Sequence, residues 1–266
     1  MFKIISDLFI TLFIWLLFVL AITSLFILFP VMLILSMLFK NKQLFFQTIS
    51  YIYLKVFIGI GKRSIPKLSV KTIHLENIDK MTSSIVLANH TSYLDGLLLV
   101  SLNRKQIAII KETIFKIPVL GWIIHLAGHI PASITNQIHV LTHQRVNNLN
   151  SYFKNGGNLL IFPEGKRSQN GELNPFKIGV FNLIKKYDVS VEIIHLKNIH
   201  RLFGRNKILF NTCVNNEIEI KRLAHYEPKE LDHLSAKELR DQIYQLYIDT
   251  ANNPDEERFE KIKSNY

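Results

Sequence analysis

From Leu8 to Phe39 the chain runs through 32 positions without a charged residue. As one helix this stretch would measure about 48 Å at about 1.5 Å per residue, against a hydrocarbon core of about 30 Å. Pro30 offers a break. The pattern therefore predicts one tilted span ending near Pro30 with an interfacial helix after it, or a two-helix hairpin dipping into one leaflet. A cleaved signal peptide would carry a shorter apolar core, about 7–15 residues, ending at small residues, so residues 1–42 read as a retained membrane anchor. Residues 43–60, "QLFFQTISYIYLKVFIGI", remain apolar and aromatic, and 43–64 reads as a membrane-proximal helix.

Beyond it the pattern changes to short apolar runs alternating with amphipathic ones. "LSVKTIHLENI" (68–78), "SSIVLAN" (83–89), "QIAIIKE" (106–112), "NLLIFPEG" (158–165), "VSVEIIHL" (189–196) and "KILFNTCV" (207–214) read as strands. Helices are predicted over 95–104, 118–128 (stopped by Gly128 and Pro131), 137–157 (ended by Gly156-Gly157) and 178–187. Another opens at the Ser235/Glu238 capping box. Strands alternating with helices predict an α/β domain with a central mixed sheet flanked by helices, over residues 65–226. Residues 227–266 follow as an acidic helical segment. No internal repeat or low-complexity run is present.

Charge refines this picture. Residues 227–266 hold ten acids and six bases, which leaves residues 1–226 with eleven acids against 26 bases. Lys40, Lys42, Lys55, Lys62, Arg63, Lys67 and Lys71 follow the apolar run before the first acid, Glu76. That bias predicts that the remainder of the chain faces the cytoplasm. No nucleic-acid motif accompanies the basic body. Attraction to anionic headgroups and phosphorylated substrates accounts for it. The one cysteine, Cys213, permits no internal disulfide, agrees with a reducing compartment, and reads as a small buried apolar residue.

Two stretches carry candidate chemistry. In "SSIVLANHTSYLDGLLLV" a buried strand ends at Asn89-His90, and Asp95 opens a helix. On a continuous helix residues five apart point away from each other by about 140°. With His90 in the turn and Asp95 in the first helical turn, the carboxylate can reach back, fix one tautomer and stabilise the imidazolium. Free imidazole, titrating near about 6.5, suits removal of a hydroxyl proton at neutral pH. The competing reading is a capping box, Ser92-Tyr93-Leu94-Asp95. The second stretch, "LLIFPEGKRSQNGELNPFKIG" (159–179), empties a buried strand into Glu164-Gly165-Lys166-Arg167. Lys166, Arg167 and the turn amides would make a phosphate site, or else two solvated cations on a polar turn. The pairs His125/His129 and His139/His143 lack a third ligand, so no metal site is predicted.

Together "NHTSYLD" and "FPEGKRS", about 70 residues apart, resemble the glycerolipid acyltransferase family that includes the 1-acylglycerol-3-phosphate acyltransferases. His90 and Asp95 match its His-x4-Asp hallmark. Residues 162–168 match its Phe-Pro-Glu-Gly-Thr-Arg-Ser block, with Lys166 in place of Thr. The resemblance covers residues 65–215. It implies transfer of an acyl group from acyl-CoA or acyl carrier protein to a lysophospholipid hydroxyl, with no cofactor. It also implies membrane lipids as partners, His90 as base, Asp95 as its orienter, and Glu164, Gly165, Lys166 and Arg167 at the acceptor. The chain departs from the family where Ile134 stands in place of an expected Arg after Gly128, and His129 is a candidate substitute. This departure keeps open another acceptor, such as a lyso-aminolipid. A lipid-binding protein without activity is the further alternative.

Overall fold

The structure is a computed structural model and describes residues 2–132, 148–169 and 171–252. The apolar N-terminus forms α1 (Phe2–Ser36), then a short turn leads into α2 (Lys42–Ser64), which packs back against it. Pro30 does not break α1, contrary to the sequence expectation. It costs one backbone hydrogen bond and some crowding against the preceding turn. Leu25, Phe29 and Met32, on both sides of it, pack with Phe46, Val119, Ile123 and Ala127 and hold the helix in register.

Seven strands follow: β1 (Leu68–Ile73), β2 (Ser84–Ala88), β3 (Gln106–Lys111), β4 (Ile130–Ala132), β5 (Asn158–Ile161), β6 (Ser190–Lys197) and β7 (Asn216–Tyr226). They form one sheet in the order β1-β7-β6-β2-β5-β3-β4. Every pairing is parallel except β6 with β7. The sheet is thus mixed and flanked by helices, as the alternating pattern predicted. Two strands differ from expectation. The run 207–214 is irregular, and the eleven-residue β7 takes its place in the sheet. β4 is a three-residue addition. Of the helix predicted over 137–157, Leu149–Lys154 is helical, while residues 137–147 lie outside the described residues.

Alternation along the central strands builds two cores. On one face Ile85, Leu87, Leu159, Ile161, Val191 and Ile193 pack against the helices Ile178–Ile184 and Ala236–Asn252. On the other, Val86, Ala88, Leu160, Ile194 and Leu196 pack beneath α3 (Asp95–Val100) and against Ile10 and Ile14 of α1. Burial of Asp7, Ile10, Thr11, Ile14, Leu25, Phe29, Met32 and Ser36 marks one stripe along α1. The Asp7 carboxylate accepts hydrogen bonds from the Thr212 amide and hydroxyl and from the Cys213 amide, and Thr11 Oγ1 accepts from the Phe210 amide. Both ends of α1 therefore rest on the α/β unit.

At the end of the sheet where β2 and β6 begin, His225 lies between two carboxylates, Nδ1 at 2.9 Å from Glu192 and Nε2 at 2.9 Å from Glu227. Arg222 approaches the other oxygen of Glu192 at 3.0 Å. Burial acts to lower the His225 pKa, but the hydrogen bond it donates to Glu227 and the charge of Glu192 outweigh it, and the net shift is upward. A raised folded pKa gives stability that is fully present below the unfolded value of about 6.5 and lost as pH rises through the folded pKa. The melting temperature should therefore fall as pH is taken from about 6 to about 8. His225→Gln should flatten that slope; an unchanged slope in the variant would assign the effect elsewhere.

Candidate active site

β2 and β5 are neighbours in the middle of the sheet, with Leu87 paired to Ile161. Their carboxyl ends deliver His90 and Glu164 to the same place, where α/β sheets carry their ligand sites. The residues between β2 and α3 turn sharply because one carboxylate collects their donors. Asp95 Oδ2 accepts from the amides of Thr91 (2.6 Å) and Ser92 (2.7 Å) and lies 2.9 Å from His90 Nδ1. The contact to the Ser92 amide is half of the capping box, so the capping and orienting readings hold together in a single residue. Ser92 Oγ is turned to the Leu94 amide and the Phe203 carbonyl.

The geometry sets the tautomer. A carboxylate only accepts, so His90 Nδ1 carries the proton that faces Asp95, and Nε2 holds the lone pair. Nε2 makes no hydrogen bond among the described residues. The Asp95 side chain is fully buried, while that of His90 is 21% exposed. Phe162 stacks on the imidazole, ring centroids 4.2 Å apart at 21°. The ring is thus held by its edge and its face, with only the basic nitrogen left toward the opening.

Glu164 sits inside the site. Its Oε1 accepts from the His90 amide at 2.7 Å, and its Oε2 accepts from the Asn174 amide at 2.8 Å and side chain at 2.7 Å. Burial raises its pKa, against the opposing effect of those three donors. The Ser168 amide donates to the His90 carbonyl at 2.7 Å, which ties the two loops together a second time. Gly165 has φ +69°, a left-handed conformation that costs glycine nothing. Lys166 is exposed, and the Arg167 guanidinium carbon lies over the Tyr93 ring, 3.5 Å from its centroid. Stacking leaves the in-plane N–H groups available to an anion. Arg205 adds a second guanidinium to this rim and donates to the Arg167 carbonyl.

The structure therefore brings His90, Asp95, Glu164, Gly165 and Arg167 around one pair of loops. His129 is a correction: it is 3% exposed, and its Nδ1 accepts from the Ala108 amide at 2.9 Å. It is buried against β3. Ile134 and the pair His139/His143 lie outside the described residues. Phe162, Asn174, Tyr93 and Arg205 were missed by the sequence reading. Phe162 had a local signal, as the last apolar residue before the Pro163-Glu164 turn, and Tyr93 lies between His90 and Asp95 in the sequence; Arg205 meets the site only through long-range folding.

Residues 69–194 match the family model described as Acyltransferase. A chloroplastic 1-acyl-sn-glycerol-3-phosphate acyltransferase, BAT2 of Brassica napus, is 37% identical over 137 residues, covering 51% of this chain and 37% of that protein. A 1-acyl-sn-glycerol-3-phosphate acyltransferase of Borreliella burgdorferi is 27% identical over 175 residues, covering 63% of this chain and 67% of that one. The chain thus spans well under half the length of the plant relative. The crystal structure of the 1-acyl-sn-glycerophosphate acyltransferase PlsC from Thermotoga maritima superposes with a TM-score of 0.71 at 22% identity, covering 97% of this chain and all of that one; it shares the fold. By its motifs and these matches, the segment at residues 69–194 is an acyltransferase-family domain.

Proposed function

We propose that this chain is a membrane-associated O-acyltransferase that moves an acyl group from acyl-CoA or acyl carrier protein to the hydroxyl of 1-acyl-sn-glycerol-3-phosphate, giving phosphatidic acid. The observation that carries the proposal is the His90–Asp95 pair, with one imidazole nitrogen tied to a buried carboxylate and the other presented at the opening. His90 Nε2 takes the acceptor's hydroxyl proton as its oxygen bonds to the thioester carbonyl carbon. The tetrahedral intermediate collapses with loss of the C–S bond, and the imidazolium gives its proton to the departing thiolate. Asp95 stabilises the imidazolium between these two steps. No protein nucleophile takes part.

Arg167 on its Tyr93 platform supports a phosphate on the acceptor. Arg167→Ala should raise KM for 1-acylglycerol-3-phosphate about 10–150-fold, the loss of a charge-assisted contact of about 1.5–3 kcal/mol. KM for the acyl donor should change far less. Equal use of phosphorylated and unphosphorylated acceptors by both proteins would remove phosphate from the assignment.

The helical pair supports attachment to the bilayer without a full crossing, because one stripe of α1 is already docked while Phe9, Ile27 and Ile34 on its other side are 72%, 67% and 65% exposed. The lysines around α2 favour the cytoplasmic leaflet. The full chain should resist extraction in alkaline carbonate, and the double variant Phe9→Lys, Ile34→Lys should be released. Release of the unaltered chain by carbonate would exclude insertion.

A further inference from the structure

Where β6 ends and β7 begins, the face of the sheet turned away from α1 carries charge. His195 and Lys197 alternate with Ile194 and Leu196, whose side chains enter the core shared with Ile10 and Ile14 of α1. Across the ladder His195 pairs with Lys221, and Lys197 with Glu219. These four side chains line a cavity of about 160 Å³ that is also bordered by Thr91, the residue beside the catalytic His90.

Two buried polar atoms of these lining residues, Thr91 Oγ1 and His195 Nδ1, have no hydrogen-bond partner among the described residues. Burial, with the charges of Lys197 and Lys221, pushes the His195 pKa down to about 4, so its ring is neutral. Two lysines lining one small volume, beside the neutral His195 and Thr91, suit an anion with several oxygens. Glu219 and the carboxyl end of helix Ala236–Asn252 oppose the two lysines only in part. The volume is below the range of about 300–1,000 Å³ that takes a whole small molecule. It suits one group of a longer ligand.

We propose that this cavity is a phosphate subsite for the phosphopantetheine arm that carries the acyl thioester, an assignment that rests on the thioester-dependent reading above. A water-soluble donor reaches it from the side away from the apolar helices, while a lipid acceptor arrives from theirs. The site adjoins the catalytic loop through Thr91, whose amide is held by Asp95.

The test is calorimetric titration of the full-length protein in detergent with 4′-phosphopantetheine, coenzyme A, pantetheine and inorganic phosphate. Both phosphorylated arms should bind, and pantetheine should bind much more weakly. Lys197→Ala should weaken both by about 10–150-fold at unchanged melting temperature, and Glu219→Gln should tighten them. Equal affinity in the Lys197→Ala protein overturns the subsite. Capture of inorganic phosphate without 4′-phosphopantetheine makes it a free-anion site and overturns the donor assignment, as does binding of coenzyme A alone. A transfer assay separates the two claims. Transfer that proceeds with a donor KM indifferent to Lys197→Ala removes the subsite and leaves the catalytic reading. Lys197-dependent binding without transfer from any thioester does the reverse.

Discussion

His90→Ala should lower turnover by about 10²–10⁴-fold, the usual contribution of a positioned general base, and should leave folding and membrane attachment unchanged. Neither neighbouring carboxylate is placed to replace it. Asp95 is turned into the protein, and Glu164 has both oxygens committed to backbone and side-chain donors. Asp95→Asn should be nearly as damaging to turnover and should also cost stability. An amide cannot stabilise an imidazolium, and its NH2 group would confront the amides of Thr91 and Ser92 that now donate to a carboxylate oxygen. Steady-state kinetics on the purified variants, alongside thermal melts, gives the check. An Asp95→Asn protein with a lowered melting temperature and full turnover would leave Asp95 a helix cap only, and a His90→Ala protein that retained more than about a tenth of turnover would remove His90 from the chemistry.

Glu164→Ala should show the second large effect, and it should appear in two measurements at once. Three donors lose their acceptor: the amides of His90 and Asn174 and the Asn174 side chain. Each buried donor left unsatisfied costs about 1–3 kcal/mol. A total of several kcal/mol is a large share of the about 5–15 kcal/mol of a typical domain. Because the His90 amide is one of the three, kcat should fall even at temperatures where the variant stays folded. Glu164→Gln is the informative companion. Its oxygen can serve one side of the bridge, but its NH2 group meets donors on the other, so it should recover part of the stability and little of the rate. A Glu164→Gln enzyme with normal kcat and raised acceptor KM would instead place Glu164 on the substrate.

The strands that position the site were legible because their apolar runs are continuous. Ile85-Val86-Leu87 and Leu159-Leu160-Ile161 are buried on both faces, and so is the sheet centre they occupy. The pairing of His90 with Asp95 was legible from spacing, since only a turn makes those two residues meet. β7 was missed for the opposite reason. "NEIEIKRLAHY" alternates with charge, as a strand near the sheet edge does, while the neighbouring "KILFNTCV" carries the apolar signal without pairing. Its Phe210 is apolar because it stacks on Phe203 and lies under α1, a contact between residues about 200 positions apart that no local window contains. Pro30 was misjudged because local rules give the cost of proline in a helix and not the packing that outweighs it. The motif marks Glu164 as a residue at the acceptor, whereas its inward orientation in the loop depends on Asn174, which only the folded loop brings to it.

The double tie between the loops has a consequence for how the site comes apart. The Glu164–His90 and Ser168–His90 contacts join segments 74 and 78 positions apart in the chain, so neither loop has this shape before β2 and β5 are side by side. A peptide of residues 83–100 would not reproduce it, and closing so long a loop is the entropic step that must come first. Once the strands pair, the two loops lock and release as one cooperative unit. In partial denaturation, opening of the 162–176 loop therefore takes the support of His90 with it, and catalysis ends while most of the sheet is still intact.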